Sequence, residues 1–224
     1  MRTVLITGGT GFFGKWLQRK QPDFLQCSCL SHALYDTHAW EADKFDFIIH
    51  AANISPACVL EKALQDQSKV LYVSSGAVYH PESDTKYRRN KIVWERECIE
   101  SGAQVVIARP FAFMDSSVSW VTFFANARAG KPLEVWGDGS TVRSYMHGRD
   151  LGKWLWAILL HGKAGQAYDV GSDRAVTTER LAKRIQAFSG SAIRYVDKPI
   201  RVPVYLPEDT TKTKDLLKLY PSKS

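Results

Sequence analysis

Three polar side chains in the middle of the chain, Ser75, Tyr87 and Lys91, have types and a spacing suited to proton transfer. Tyr87 and Lys91 are four residues apart, so on a helix they share one face. A free tyrosine has a pKa of about 10, and a neighbouring ammonium favours its phenolate, which makes the phenol a usable base near neutral pH. Ser75 follows an apolar strand and can hydrogen-bond the same substrate oxygen. The three residues therefore predict a site that removes a proton from a hydroxyl group.

Glycines near the start of the chain predict the ligand that lies beside these groups. An apolar strand, Thr3 to Thr7, leads directly into Thr7-Gly-Gly-Thr-Gly-Phe-Phe-Gly14. Gly8 allows a sharp reversal, Gly11 lets backbone N–H groups approach a pyrophosphate, and Gly14 lets the following helix pack closely. The phosphates would lie at a helix N-terminus, which favours anions. The turn predicts a dinucleotide, whose oxidised nicotinamide would also stabilise the phenolate.

The elements that must position these residues alternate between strand and helix in the first half of the chain. Strands are predicted at Thr3–Thr7, Phe24–Leu30, Phe45–His50, Lys69–Ser74 and Gln104–Ala108, and helices from residue 11, near 57–65 and over 86–101. This alternation predicts an α/β fold with a Rossmann-type, doubly wound parallel sheet. Ligands of such sheets bind beyond the carboxyl ends of the strands, so the residues after Ile6, His50, Val73 and Ala108 should line one crevice.

The second half of the chain has a looser pattern, which we interpret as a small C-terminal substrate-binding lobe. Helices are predicted at 120–129, at 150–160 and after Thr177, with a turn at 136–139 and a strand at 167–170. We divide the chain into a dinucleotide-binding region, residues 1–112, and a mainly substrate-binding lobe, residues 113–224, within one compact domain. Residues 221–224 are expected to be disordered.

Composition and charge limit the class of protein. The chain has 224 residues, 45% of them hydrophobic, which is enough for a core. It has no apolar run of the roughly 20 residues that span a membrane, and Met1 leads directly into the first strand, so we expect a cytoplasmic protein without membrane contact. The net charge of +7 is spread along the chain among acidic residues, and anionic small ligands explain it as well as nucleic acid does. We therefore predict no nucleic-acid partner.

The four cysteines indicate neither disulfides nor a metal site. All fall on predicted strands or helices, in keeping with a reducing compartment. Cys27 and Cys29 would share one strand face, but no second Cys/His pair is placed to complete a zinc site, so no metal is predicted.

In these motifs the chain resembles the extended short-chain dehydrogenase/reductases, and among them the NAD-dependent epimerase/dehydratase group that acts on nucleotide sugars. The resemblance runs nearly from end to end of the chain. Besides the glycine turn it covers Ile48–Ala52, Ser74–Tyr79, Tyr87 with Lys91, Arg109–Phe111, Gly137–Leu151 and Tyr168–Gly171.

The resemblance implies a role for individual residues. Ser75, Tyr87 and Lys91 take the catalytic roles. The cofactor would be bound by Gly8, Thr10, Gly11, Phe12, Phe13, Gly14, His32, Asp36, Ala51, Ala52, Lys91 and Pro110. The nucleotide-sugar substrate would be bound by Ser75, Gly76, Tyr87, Phe111 and Arg143, of which Arg143 clamps the diphosphate. In the family mechanism Tyr87 removes a sugar hydroxyl proton while nicotinamide accepts a hydride from the same carbon, which gives a transient keto sugar.

Departures from the family pattern limit which of the family's reactions we predict for this chain. Dehydratases of the family carry Asp-Glu after the serine, whereas this chain has Gly76-Ala77, so we disfavour 4,6-dehydration and predict epimerisation or keto-sugar reduction. The segments 50–74 and 75–87 are shorter than in the family, and Ala112 replaces a substrate-contacting Asn. These differences suggest an alternative, a cofactor-binding regulator or scaffold without catalysis. The complete Tyr87/Lys91 pair argues against it.

The choice between NAD and NADP depends on the residues after the second strand. The family's acidic ribose-binding residue is replaced by Ser31 or His32, and Arg19 or Lys20 is the candidate partner for the 2′-phosphate of NADP. The form of the glycine turn is typical of NAD users, so NAD is predicted and NADP is the alternative. Asp36 corresponds to the family's adenine-contacting Asp. The resemblance also implies a homodimer through the Tyr87 helix and a neighbouring helix, which is shortened here, so the oligomeric state stays open.

Overall fold

The computed structural model describes residues 1–31, 39–114 and 118–220. The predicted cofactor residues His32 and Asp36, and the predicted disorder of residues 221–224, lie outside the described residues. The strands are β1 (Arg2–Thr7), β2 (Leu25–Leu30), β3 (Phe47–His50), β4 (Lys69–Val73), β5 (Gln104–Pro110), β6 (Ala112–Phe113), β7 (Leu133–Trp136), β8 (Val142–Met146), β9 (Ala167–Val170), β10 (Ala175–Thr177), β11 (Ile193–Val196) and β12 (Val204–Tyr205). The helices are α1 (Phe12–Arg19), α2 (Ala57–Asp66), α3 (Lys86–Glu100), α4 (Val118–Arg128), α5 (Gly148–His161), α6 (Thr178–Ser189) and α7 (Thr211–Leu219).

Six parallel strands form the main sheet, in the order β2-β1-β3-β4-β5-β9. The inner strands β1, β3, β4 and β5 contain continuous apolar runs, and all four residues of β3 are buried, as expected for strands covered on both faces. Thr7 pairs with His50, His50 with Tyr72, and Val73 with Ala108. The carboxyl ends of four neighbouring strands therefore meet along one edge, and the predicted α/β fold with a doubly wound parallel sheet is confirmed.

Helices cover the main sheet on both faces. On one face α1 and α5 pack through Leu17, Leu151 and Leu155. The indole N–H of Trp156 on α5 donates to the carbonyl of Leu17 at 3.0 Å, which satisfies a buried donor of α5 with an acceptor near the end of α1. On the other face α2 and α3 contribute a second apolar cluster that includes Cys98. The helix that carries Tyr87 and Lys91 is thus fixed against the sheet by its buried side.

A smaller lobe packs beside the sheet around its own apolar cluster, which includes Phe123, Leu133 and Leu181. There β8 pairs with β6, β10 and β12, and β7 pairs with β11. The chain does not separate cleanly near residue 112, because α5 and β9 return to the main sheet after the lobe has begun. The functional division at residue 112 stays a prediction.

Candidate active site

The glycine turn closes tightly on the loop that follows β3. Gly8 has a φ of +71°, and a Cβ there would lie 2.8 Å from the backbone carbon of Ala51 and 2.8 Å from the nitrogen of Ala52. The N–H of Gly11 donates to the carbonyl of Gly8 at 2.9 Å. A Cβ on Gly14 would lie 2.5 Å from the Cα of Gly9, so α1 begins pressed against the turn. Glycine is therefore required at positions 8 and 14, and the turn lies at the N-terminus of α1, which favours a dinucleotide phosphate.

Two predicted cofactor residues, Phe12 and Phe13, open α1 and pack against Phe113, with ring centroids 5.6 and 5.7 Å from it. Arg19, the candidate partner for a 2′-phosphate, lies at the other end of the eight-residue helix, about 10 Å along its axis. Its guanidinium lies over the ring of Trp16, 4.9 Å from the centroid. The geometry of α1 therefore gives Arg19 no contact with the glycine turn.

Ser75 and Tyr87 approach each other where β4 meets α3. Ser75 is buried and caps the short 3-10 turn Gly76–Tyr79, accepting the N–H of Ala77 at 3.2 Å. Tyr87 lies in the first turn of α3 and is 43% exposed, so a ligand can reach it. Burial of the phenol raises the pKa of Tyr87, whereas its interaction with Ser75 lowers that pKa. Without a ligand Tyr87 therefore keeps its proton at neutral pH.

Lys91 lies one helical turn beyond Tyr87 and is buried. Its Nζ donates to the carbonyl of Val73 at 3.0 Å and lies 5.7 Å from the ring centroid of Tyr87. Burial lowers the pKa of Lys91 to about 8, and the carboxylate of Glu95 opposes this shift. At pH 7 the side chain still carries its proton, so an ammonium stands between Tyr87 and the edge of the sheet.

His50 connects this pair to the glycine turn. It is fully buried at the end of β3, with Nδ1 2.8 Å from the Thr7 hydroxyl and Nε2 3.1 Å from the carbonyl of Ile54. Burial lowers the pKa of His50 to about 4, and the charge of Lys91 acts in the same direction. The imidazole is neutral at pH 7 and packs between two strand ends, so His50 serves as a packing residue here.

The predicted substrate residues Gly76, Phe111 and Arg143 lie on the other side of Ser75. A Cβ on Gly76 would lie 2.5 Å from the ring of Phe111. Arg143, on β8, donates to the carbonyls of Val142 at 2.7 Å and Val202 at 2.8 Å. Its guanidinium is thus already bonded to backbone oxygens. The guanidinium carbon lies 5.8 Å from the ring centroid of a tyrosine that contacts Ser75.

That tyrosine is Tyr205, which the sequence analysis missed. It lies on the two-residue strand β12, and its hydroxyl is 3.3 Å from the hydroxyl of Ser75. No local sequence signal marks it, because it lies 114 positions after Lys91, where the glycine, serine and tyrosine motifs end.

A buried polar network behind the site was missed as well. Arg109 donates to the carboxylate of Glu95 at 3.0 and 2.6 Å, and Ser74 donates to the same carboxylate at 2.5 Å. Arg109 also donates to the hydroxyl of Tyr79 at 2.7 Å, and that hydroxyl donates to Asp169 at 3.0 Å. Ser74, Tyr79, Arg109 and Asp169 lie in motifs quoted for the resemblance, but nothing in the sequence connects them with Glu95, one turn after Lys91.

Two further properties concern the described residues alone. Across residues 1–31, 39–114 and 118–220, no three His, Cys, Asp or Glu side chains are grouped so as to bind a metal ion. Among the helices that the structure describes, none has the length and apolar character needed to cross a membrane.

Comparisons with known proteins agree with the resemblance. Part of the chain is 34% identical, over 92 residues, to a trifunctional UDP-glucose 4,6-dehydratase/UDP-4-keto-6-deoxy-D-glucose 3,5-epimerase/UDP-4-keto-L-rhamnose-reductase from Arabidopsis thaliana, covering 39% of this chain and 14% of that protein. A dTDP-4-dehydro-6-deoxy-D-allose reductase from Streptomyces bikiniensis is 32% identical over 103 residues, covering 45% and 31%. The chain thus spans less than a third of the length of either curated relative.

Structural similarity extends over the whole chain. The dTDP-glucose 4,6-dehydratase of Bacillus anthracis, solved in complex with NAD, superposes with a TM-score of 0.84 at 18% identity, covering 100% of this chain and 93% of that one. At this identity the superposition establishes the fold. The model of the NAD dependent epimerase/dehydratase family matches residues 31–171, well over half of the chain, and this confirms the prediction from sequence motifs. The chain belongs to the NAD dependent epimerase/dehydratase family.

Proposed function

We propose that this chain is an NAD-dependent enzyme that oxidises and re-reduces, or simply reduces, a nucleotide-linked sugar, with Tyr87 as its proton-transfer residue. One observation carries the proposal. Tyr87, Lys91 and Ser75 meet at the carboxyl end of β4, and the glycine turn after β1 opens on the same edge of the sheet, two strands away. Ligands of such sheets bind at this edge.

Each of the three side chains has its own role in the transfer of one proton from the sugar. Tyr87 takes the proton of the reacting sugar hydroxyl, and the ammonium of Lys91 favours the resulting phenolate. Ser75 holds the sugar oxygen in place. The amides of the glycine turn and the loop at Ala51 and Ala52 hold the dinucleotide. NAD, when bound, supplies the hydride acceptor for the carbon that bears the hydroxyl.

The substrate class follows from Arg143 and from the relatives. A guanidinium pairs well with a diphosphate, and Arg143 uses three of its five N–H donors on the carbonyls of Val142, Pro203 and Val202, which leaves donors for a ligand. Gly76 and Ala77, in place of an acidic pair, support epimerisation or keto-sugar reduction over 4,6-dehydration. The names of the relatives include dehydratases and so do not support this preference. Analysis of the reaction products distinguishes epimerisation, reduction and dehydration.

The test is turnover of a panel of nucleotide sugars by the purified protein with NAD, with products identified by mass spectrometry. We expect Tyr87→Phe to lose turnover by a factor of about 100 or more while NAD binding stays unchanged. Tyr195→Phe is the matched control, because its hydroxyl bonds Glu179 in the lobe, away from the site. Full activity of Tyr87→Phe would refute the mechanism. NAD binding without product from any sugar would favour the regulator or scaffold instead.

A further inference from the structure

A short segment near the C-terminus, residues 202–205, crosses the candidate active site, and we call it the strap. Parallel pairing of β12 with β8 sets Tyr205 opposite Arg143. The N–H of Val142 donates to the carbonyl of Pro203 at 2.7 Å. The strap therefore lies alongside β8, the strand that carries the predicted diphosphate clamp.

The strap occupies part of the Arg143 side chain. The guanidinium donates to the carbonyls of Val202 at 2.8 Å and Pro203 at 3.4 Å, both in the strap. Phosphate oxygens are acceptors for the same N–H groups, and their charge makes the bonds stronger. The strap carbonyls therefore occupy two of the donors that the proposed function gives to the diphosphate of the substrate.

The strap also occupies Ser75. The hydroxyl of Tyr205 lies 3.3 Å from that of Ser75, and either group can be the donor. A serine hydroxyl has one proton and two lone pairs, and the N–H of Ala77 fills one lone pair at 3.2 Å. The phenol hydroxyl thus makes with Ser75 the kind of contact that a sugar hydroxyl would make.

The ring of Tyr205 fills the space between these two contacts. Its centroid lies 5.1 Å from that of Phe111 and 5.1 Å from that of His80. Three predicted substrate residues, Ser75, Phe111 and Arg143, therefore all contact the strap. Because a sugar and a phenol ring cannot share one volume, a sugar that binds these residues has to move the ring.

Few contacts hold the strap in place. The strand β12 has two residues, and Val204 is 48% exposed. The next segment is fixed separately, since the N–H of Glu208 donates to Asp169 at 2.9 Å. Segments with few buried contacts and an exposed backbone open at a small cost in free energy. The strap can therefore leave the site while the chain from Glu208 onward stays in place.

We propose that the strap competes with the substrate: in the free chain it occupies Ser75 and Arg143, and a nucleotide sugar binds by displacing it. The inference rests on the proposed function, which makes these two residues the contacts of the sugar and of the diphosphate. A site that is open for only a fraction of the time has its affinity reduced by that fraction. The glycine turn lies two strands away along the sheet edge, so NAD should bind whether the strap is in place or not.

The experiment is calorimetric titration of the protein, with NAD present, with UDP-glucose and with dTDP-glucose. Tyr205→Phe removes the hydroxyl beside Ser75 and keeps the ring. Loss of one hydrogen bond of the strap raises the open fraction, so we expect the nucleotide sugar to bind about three- to tenfold more tightly. Tyr195→Phe is the matched control, because its hydroxyl bonds Glu179 outside the site, and it should leave the affinity unchanged.

Hydrogen–deuterium exchange, followed by mass spectrometry, measures the displacement directly. With a saturating nucleotide sugar we expect faster exchange in peptides that contain the strap. The N–H of Val142 should also exchange faster, because it loses the carbonyl of Pro203. A ligand that bound on top of the strap would slow the exchange of both.

Weaker binding of the nucleotide sugar by Tyr205→Phe, with thermal unfolding showing an intact fold, would make Tyr205 a ligand contact and overturn the proposal. An unchanged affinity overturns it too, as does slower exchange of the strap when the ligand is added. In each of these cases the unsubstituted chain still binds a nucleotide sugar, so the proposed function stands. If neither the unsubstituted chain nor Tyr205→Phe binds either nucleotide sugar, the proposed substrate class is wrong, and the strap proposal fails with it.

Discussion

Replacing Arg109 by Met should destabilise the chain strongly, because Arg109 is the central member of the buried network behind the site. It makes two charge-assisted bonds to Glu95, at 3.0 and 2.6 Å, and one to Tyr79, at 2.7 Å. The side chains of Arg109 and Glu95 are 21% and 9% exposed, so Glu95 would be left as a nearly buried carboxylate without its bonded guanidinium, with the ammonium of Lys91 as a neighbouring charge. Breaking such a pair costs about 3 to 5 kcal/mol, and with the partial exposure of Arg109 we expect about 3 kcal/mol.

The assay is urea unfolding at several pH values, with thermal unfolding as a second measure. For a domain of this size a loss of about 3 kcal/mol lowers Tm by about 6 to 12 °C. In Arg109→Met the cost of burying Glu95 without its guanidinium applies only to the charged carboxylate, so the loss should grow as pH rises. The loss relative to the unsubstituted protein should therefore be larger at pH 8 than at pH 5.

Two variants test this reasoning. Arg89→Met breaks an ion pair with Asp84 whose side chains are 56% and 66% exposed, and it should stay within about 0.5 kcal/mol of the unsubstituted protein. Adding Glu95→Gln to Arg109→Met removes the stranded charge and should recover part of the loss and abolish its pH dependence. If Arg109→Met costs no more than Arg89→Met, or if its cost is equal at pH 5 and pH 8, then Glu95 is not a buried, charge-dependent partner.

Two further predictions concern the sheet edge. Gly14→Ala would place a Cβ 2.5 Å from the Cα of Gly9, and calorimetry should show NAD affinity reduced about tenfold or more, while the exposed Ser28→Ala leaves it unchanged. His50, with a pKa of about 4 against about 6.5 in the unfolded chain, contributes stability that is complete above pH 6.5 and decreases by about 3 kcal/mol as pH falls to 4. Urea unfolding of His50→Gln should lack this part of the pH dependence, and an equal slope in both proteins would place the imidazole in a solvated setting.

The sequence predicted well the elements whose pattern is local. Apolar strands such as β3 and β4 are bounded by turns and alternate with helices along the chain. The strand at Ala167–Val170 was predicted with the limits that the structure shows. The short strands β6, β10 and β12 have two or three residues each, too few for any periodicity to be visible. They form because tertiary pairing with β8 provides hydrogen bonds that no local pattern specifies. Tyr205 lies on β12, so its place in the site could not be predicted from the sequence.

The site is assembled by polar contacts between parts of the chain that are far apart in sequence. Asp169, at the end of β9, accepts the hydroxyl of Tyr79 at 3.0 Å and the backbone N–H of Glu208 at 2.9 Å. The first contact fixes the turn that Ser75 caps, and the second fixes the segment three residues beyond Tyr205. The carboxylate of Asp169 therefore connects the turn that Ser75 caps with the segment that follows Tyr205, and the hydroxyls of Ser75 and Tyr205 lie 3.3 Å apart.

Contacts from outside the segment between Ser75 and Tyr87 order the turn that Ser75 caps. Arg109 and Asp169 both hydrogen-bond the hydroxyl of Tyr79, the last residue of the turn Gly76–Tyr79. The hydroxyl of Tyr205 lies against Ser75, which caps the start of that turn. Order at Ser75 then depends on the docking of β12 onto β8 rather than on the length of the segment between Ser75 and Tyr87. The position of Ser75 is therefore fixed by groups that lie outside the segment between Ser75 and Tyr87.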